Sequence, residues 1–113
     1  MEQVTEVRLL RGSYVRISLQ NGIKYYLLRK VYQERPVQTG DNIDEKEFAW
    51  WVLKHQYRPA LNQAVSMLAQ RACSKGEIQR KLSLKGYSKE TIEMVLLKLE
   101  KTGCLDDQDF AKQ

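Results

Sequence analysis

The chain has 113 residues, 42% of them apolar, a formal net charge of +5 and a pI near 9.3. That length supplies one ordinary domain or two very small modules with a modest core, and the basic balance favours nucleic acid or an acidic protein surface over a cationic partner. No apolar run approaches the roughly 18 residues of a membrane-spanning helix. Cys73 and Cys104 lack the paired spacing of a zinc or redox site, so the expectation is a cytoplasmic protein with reduced thiols.

Residues 1–30 read as β structure. Val15, Ile17 and Leu19 alternate with Arg16 and Ser18, and Ile23, Tyr25 and Leu27 alternate with Lys24 and Tyr26, the period of half-buried strands. Gln20-Asn21-Gly22 lies between them, and its Asn-Gly predicts a two-residue type I′ hairpin. An earlier strand near Val4 to Leu10 completes a three-stranded meander. A small sheet of this kind needs a cover. After a loop marked by Pro36, Gly40, Asp41 and Asn42, Asp44 and Glu47 form a helix-capping arrangement, and a helix from about Glu45 to Gln56 presents Phe48, Trp51, Val52 and His55 as an apolar stripe.

From Arg58 onward the pattern is helical. Pro59 suits a first helical position, and Leu61, Ala64, Val65, Leu68 and Ala69 form one stripe. Ser74 and Glu77 write a capping box for the next helix, with Ile78 and Leu82 on its buried side. Gly86 ends that helix and Ser88 caps a third, which carries Ile92, Val95, Leu96 and Leu99 before Gly103. The segment Leu105 to Ala111 has the acids and aromatic of another helix start. The fold class expected is therefore α+β: a small antiparallel β-meander with a covering helix (1–57), a three-helix bundle of helix-turn-helix type (58–105) and the beginning of a further element (106–113).

The chemistry-bearing feature is the cationic run Arg71, Lys75, Arg80, Lys81, Lys85 and Lys89, set against the single acid Glu77. A solvated face is the bland account of such a run; an anionic partner is the sharp one. Arg80 and Lys81 differ by about 100° around a helix, so Lys81 and Lys85 share a side while Arg80 points elsewhere. A sequence-reading helix-turn-helix would dock the later helix in a major groove, yet that helix begins Lys89-Glu90-Thr91-Ile92-Glu93, and two early carboxylates oppose phosphate. Sequence-independent phosphate contact fits better.

Catalysis is not expected. His55 falls on an apolar stripe beside Trp51, neither cysteine has a base near it in sequence, no phosphate-cradling glycine loop is present, and Asp106, Asp107 and Asp109 read as a helix start, not a metal site. No cofactor, metal or small-molecule substrate is implied. Trp50, Trp51, Tyr25 and Tyr26 are assigned to core packing and ordinary surface coverage, because one member of each adjacent pair belongs on a buried face.

The helical half resembles the RecX family of regulators of the RecA recombinase. The resemblance is carried by Ala60-Leu61, Ala64 through Leu68, Arg71, Ser74, Glu77, Lys81-Leu82 and Gly86-Tyr87. It continues through Ile92, Val95, Leu99, Gly103, Leu105-Asp106-Asp107 and Phe110-Ala111. It implies a tandem array of three-helix units, of which this chain would hold one and the beginning of the next. It also implies a regulator, not an enzyme, that binds the RecA filament on DNA and dampens strand exchange and the activities that depend on it. The six cationic residues would then meet acidic RecA surface or DNA phosphate. One unit alone would keep the fold and lose affinity that linked units gain from effective concentration.

Overall fold

A computed structural model describes residues 1–104; the segment Leu105 to Ala111, read above as a helix start, lies outside them. The protein is α+β and divides into two compact units, Met1–His55 and Gln56–Gln113.

The first unit is built on strands β1 (Glu2–Leu10), β2 (Tyr14–Leu19) and β3 (Lys24–Leu28), followed by a single helical turn α1 (Arg29–Tyr32), a two-residue strand β4 (Asn42–Ile43) and the start of helix α2 (Glu45–Gln70). The expected three-stranded meander is thus a four-stranded antiparallel sheet in the order β3-β2-β1-β4. The segment read as loop also contains α1 and β4. Both are too short to carry a period of their own, and β4 exists because Glu2 and Gln3 pair with it.

Alternation sorts the strands as expected: Val15, Ile17, Leu19, Tyr25 and Leu27 are buried together with Phe48, Ala49 and Val52 from α2. A bulge at Thr5 lets both Val4 and Val7 turn toward that core although they lie three positions apart, an odd spacing for one strand face. The hairpin forms, but with three loop residues. Leu19 N bonds Ile23 O at 2.9 Å, Gly22 N bonds Leu19 O at 3.0 Å, and only Gly22 in this loop takes a positive φ, +91°. A type I′ turn needs φ > 0 at two positions; here glycine alone supplies it, and Ile23, which closes the loop opposite Leu19, is 40% exposed instead of a core residue.

Asp44 caps α2 through Oδ1, which accepts from Glu47 N at 3.3 Å. The helix then runs past the expected break: the two helices read from sequence are one, with Pro59 inside it. An interior proline costs about 3 kcal/mol. Pro59 is exposed, and Ala60 and Ala64, both fully buried, anchor the helix beyond it.

In the second unit, the later part of α2 packs with α3 (Lys75–Leu84) and α4 (Lys89–Lys101) around Ala60, Ala64, Ile78, Leu82, Ile92, Val95, Leu96 and Leu99. Val65, 47% exposed, and Ala69 lie outside this core, so the buried stripe of α2 is shifted from the one expected and uses Ala60. Inside the unit, Gln56 Oε1 accepts from Ser88 N and from Thr91 Oγ1, each at 2.9 Å, which ties α2 to the first turn of α4.

Candidate functional site

Helices α3 and α4 are joined by a tight corner. Ser74 caps α3, its Oγ accepting from Glu77 N at 3.1 Å, and Ser88 caps α4, its Oγ accepting from Thr91 N at 3.2 Å. Gly86 sits at φ +93°, where a Cβ would be strained. That conformation lets Tyr87 N reach Leu82 O at 3.3 Å and Gly86 N reach Ser83 O at 3.0 Å, the paired bonds of a Schellman ending. The corner fixes the face of α3 that looks toward the start of α4.

Along that face lies an open groove of about 430 Å³, lined by Gly76, Gln79, Arg80, Ser83 and Leu84 of α3, by Tyr87, and by Lys89, Ile92 and Glu93 of α4. The α3 residues follow the i, i+3, i+4, i+7 spacing of one helical stripe. Leu84 is 76% exposed, the most open large apolar side chain among the described residues of this unit.

The six cationic residues separate into two groups. Arg71 pairs with Glu77, which Lys81 also approaches at 3.6 Å, and Lys75 Nζ lies 2.9 Å from Glu100 Oε1. The Glu77 carboxylate therefore serves a cation cluster, while its backbone N–H is the group that meets the Ser74 cap. Burial acts to raise its pKa, but the charge and hydrogen bond of Arg71, with a smaller share from Lys81, outweigh burial and hold the carboxyl below its ordinary value. Arg80, Lys85 and Lys89 make no ion pair with a described residue.

Two of those three converge. Arg80 from the body of α3 and Lys89 from the first turn of α4 both line the groove, with Glu93 as its acid. Lys85 caps the C-terminal end of α3, where the helix dipole itself favours a cation, so its place has a structural reason. Lys89 has the reverse: a helix N-terminus disfavours positive charge by about 0.3–1 kcal/mol. No ion pair with a described residue offsets this at Lys89, and the positive end of α4 adds to its field.

Sequence reasoning missed Leu84 and Tyr87 as groove residues. The signal was available for Leu84, which falls off the Ile78 and Leu82 stripe and so had to point outward. Elsewhere, His55 in the first unit stacks edge-on to Trp51 at 5.2 Å and lies 3.5 Å from Glu34, and Trp51 joins the Phe48 cluster while Trp50 is 58% exposed. Cys73 is half-buried and Cys104 exposed, both as free thiols. Among the described residues no group of three metal-ligating side chains comes together, and no helix is long and apolar enough to cross a membrane.

Residues 60–99 match the family model for the first three-helix domain of RecX. Two curated relatives, each named regulatory protein RecX, are similar to the same half of the chain. The protein from Prosthecochloris aestuarii is 47% identical over 55 residues, and the one from Pelodictyon phaeoclathratiforme is 46% identical over 54. These stretches cover 49% and 48% of this chain and 36% and 34% of the relatives, so the match spans about a third of their length. A crystal structure of regulatory protein RecX aligns with 98% of this chain and 55% of its own at 20% identity, with a TM-score of 0.49.

Proposed function

We propose, from the match of residues 60–99 to the first three-helix domain of RecX, that the chain is a regulator that binds the RecA recombinase filament and restrains its recombination and ATP hydrolysis in DNA repair. It acts in the cytoplasm by occupancy and not by catalysis. The observation that supports this reading is the convergence of Arg80 and Lys89, from two helices and without acidic partners among the described residues, on one groove beside the exposed Leu84. Two cations at the rim of an open groove attract an acidic surface and speed encounter, and an adjacent aliphatic side chain supplies apolar contact once docked. Arg71, Lys75 and Lys81, already neutralised in part, add a weaker general field.

The test is RecA's DNA-dependent ATP hydrolysis, measured with the chain and with Arg80→Glu/Lys89→Glu at several salt concentrations. The chain slows hydrolysis, and the double reversal weakens that effect on the order of tenfold, with a shallower salt dependence. Indifference of RecA to the unaltered chain refutes the regulator. A parallel titration onto naked duplex DNA separates the acidic-surface reading from the phosphate-binding alternative, since only the latter shows a steep loss of affinity with salt in the absence of RecA.

A further inference from the structure

The sheet of the first unit has a second face that the core does not use. With Val15, Ile17, Leu19, Tyr25 and Leu27 buried against α2, the alternate residues stand on the opposite side. Strand register arranges them in rows: Glu6, Ser18 and Lys24; then Arg8, Arg16 and Tyr26; then Leu10, Tyr14 and Leu28.

The middle row is not what stability alone would select. Arg8 stands directly across from Arg16, and like charges directly opposite on neighbouring strands are destabilising. Arg16 is relieved by Glu6, whose Oε1 lies 3.0 Å from Nη2, and the Tyr26 hydroxyl lies against the same guanidinium. Arg8 and Lys24 are exposed and make no ion pair with a described residue. Beside them Tyr14 and Leu28 remain 40% and 41% exposed. Tyr14 and Tyr26 are diagonal neighbours on β2 and β3, within about 7–8 Å. Arg29, whose amide bonds Ser13 O at 2.7 Å, starts the helical turn at the same end of the sheet.

Cations without ion-pair partners among the described residues, interleaved with aromatic rings on the outward side of the sheet, complement a polyanion that also offers flat π-faces. We propose that this outward face binds single-stranded nucleic acid, with Tyr14 and Tyr26 stacking bases and Arg8 and Lys24 meeting phosphates. A duplex keeps its bases inside its own stack and would gain the cations alone. An acidic protein segment would gain the cations but leave the rings without partners. Glu6 and Tyr26 brace the Arg16 guanidinium, so the central row is held in place before any ligand arrives.

The experiment is fluorescence anisotropy of a labelled oligo-dT of roughly a dozen nucleotides, within the site size of sheet-based single-strand binders, titrated with the full chain. Tyr14→Ala is expected to weaken binding roughly 5- to 150-fold with little change in salt slope, the cost of one lost base stack. Arg8→Ala should lower the slope of log affinity against log salt by about 0.7. Both side chains point away from the core, and circular dichroism should confirm that both variants fold. Arg80→Glu/Lys89→Glu should leave oligo-dT binding in place. The proposal is overturned by absent binding, by binding equal on duplex, or by binding that survives both sheet variants and disappears with the groove variant. The last result would leave the RecA reading standing.

Discussion

The two units solve the same problem, a core for about fifty residues, with different additions to a shared aliphatic base. The sheet unit adds to its buried valines, leucines and isoleucines an aromatic cluster brought together from distant positions: Tyr25 meets Phe48 edge-on at 5.3 Å, and Phe48 meets Trp51 at 5.4 Å. The helical unit buries alanines and aliphatics, and its tyrosines 57 and 87 lie only at the margin of the core. It obtains its definition locally, from Ser74, Gly86 and Ser88 at the helix ends. Concentrating stability in one ring makes a unit vulnerable at a single position; distributing it over caps and small contacts makes it tolerant along its surface.

Core truncation is the strongest way to break this contrast. Phe48→Ala removes the ring at the centre of the aromatic cluster and should cost about 3–5 kcal/mol, whereas Leu82→Ala in the helical core should cost about 2–5. Urea unfolding followed by tryptophan fluorescence reads the first, because Trp50 and Trp51 both lie in the sheet unit, and circular dichroism at helical wavelengths reads the second. Equal sensitivity of the tryptophan signal to both variants would erase the distinction.

A smaller effect sharpens the local half of the argument. Gly86→Ala forces a side chain into φ +93° and should destabilise the helical unit by about 1–2 kcal/mol without moving the tryptophan transition. The smallest concerns pH, and here the units should agree. The hydrogen bond and charge of Arg35 depress the pKa of Glu47 below its usual 4.5, and Arg71 with Lys81 outweighs burial to do the same for Glu77. Each carboxylate is more acidic folded than unfolded, so its contribution is complete above the unfolded value and fades as pH falls through the lower folded one. Glu47→Gln and Glu77→Gln should each flatten the acid limb of a stability profile slightly, because exposed pairs contribute little.

How far these features could be read from residues alone follows the same division. The caps at Asp44, Ser74 and Ser88 and the helix-ending Gly86 are local chemistry, and each forms as its residue type dictates. The alternation of β2 and most of β3 was equally plain. Strand β4 was invisible because two residues pair only when β1 supplies the template. The hairpin loop gained a residue because Asn21 did not adopt the left-handed conformation that a type I′ turn demands. Pro59 was taken for a helix start, since no local rule announces that the buried Ala60 and Ala64 would carry the helix through it. At the candidate site, charge marked a segment but not its partition. Only the folded arrangement shows that Glu77 and Glu100 absorb Arg71, Lys75 and Lys81, while Arg80 and Lys89 meet at the groove.

The Gln56 carboxamide gives the helical unit a built-in reporter. Its partners lie 32 and 35 positions further along the chain, so the Ser88 amide gains that acceptor only once α2 and α4 have docked. Hydrogen–deuterium exchange at that one amide therefore tracks assembly of the whole unit, where neighbouring amides register only the fraying of their own helix.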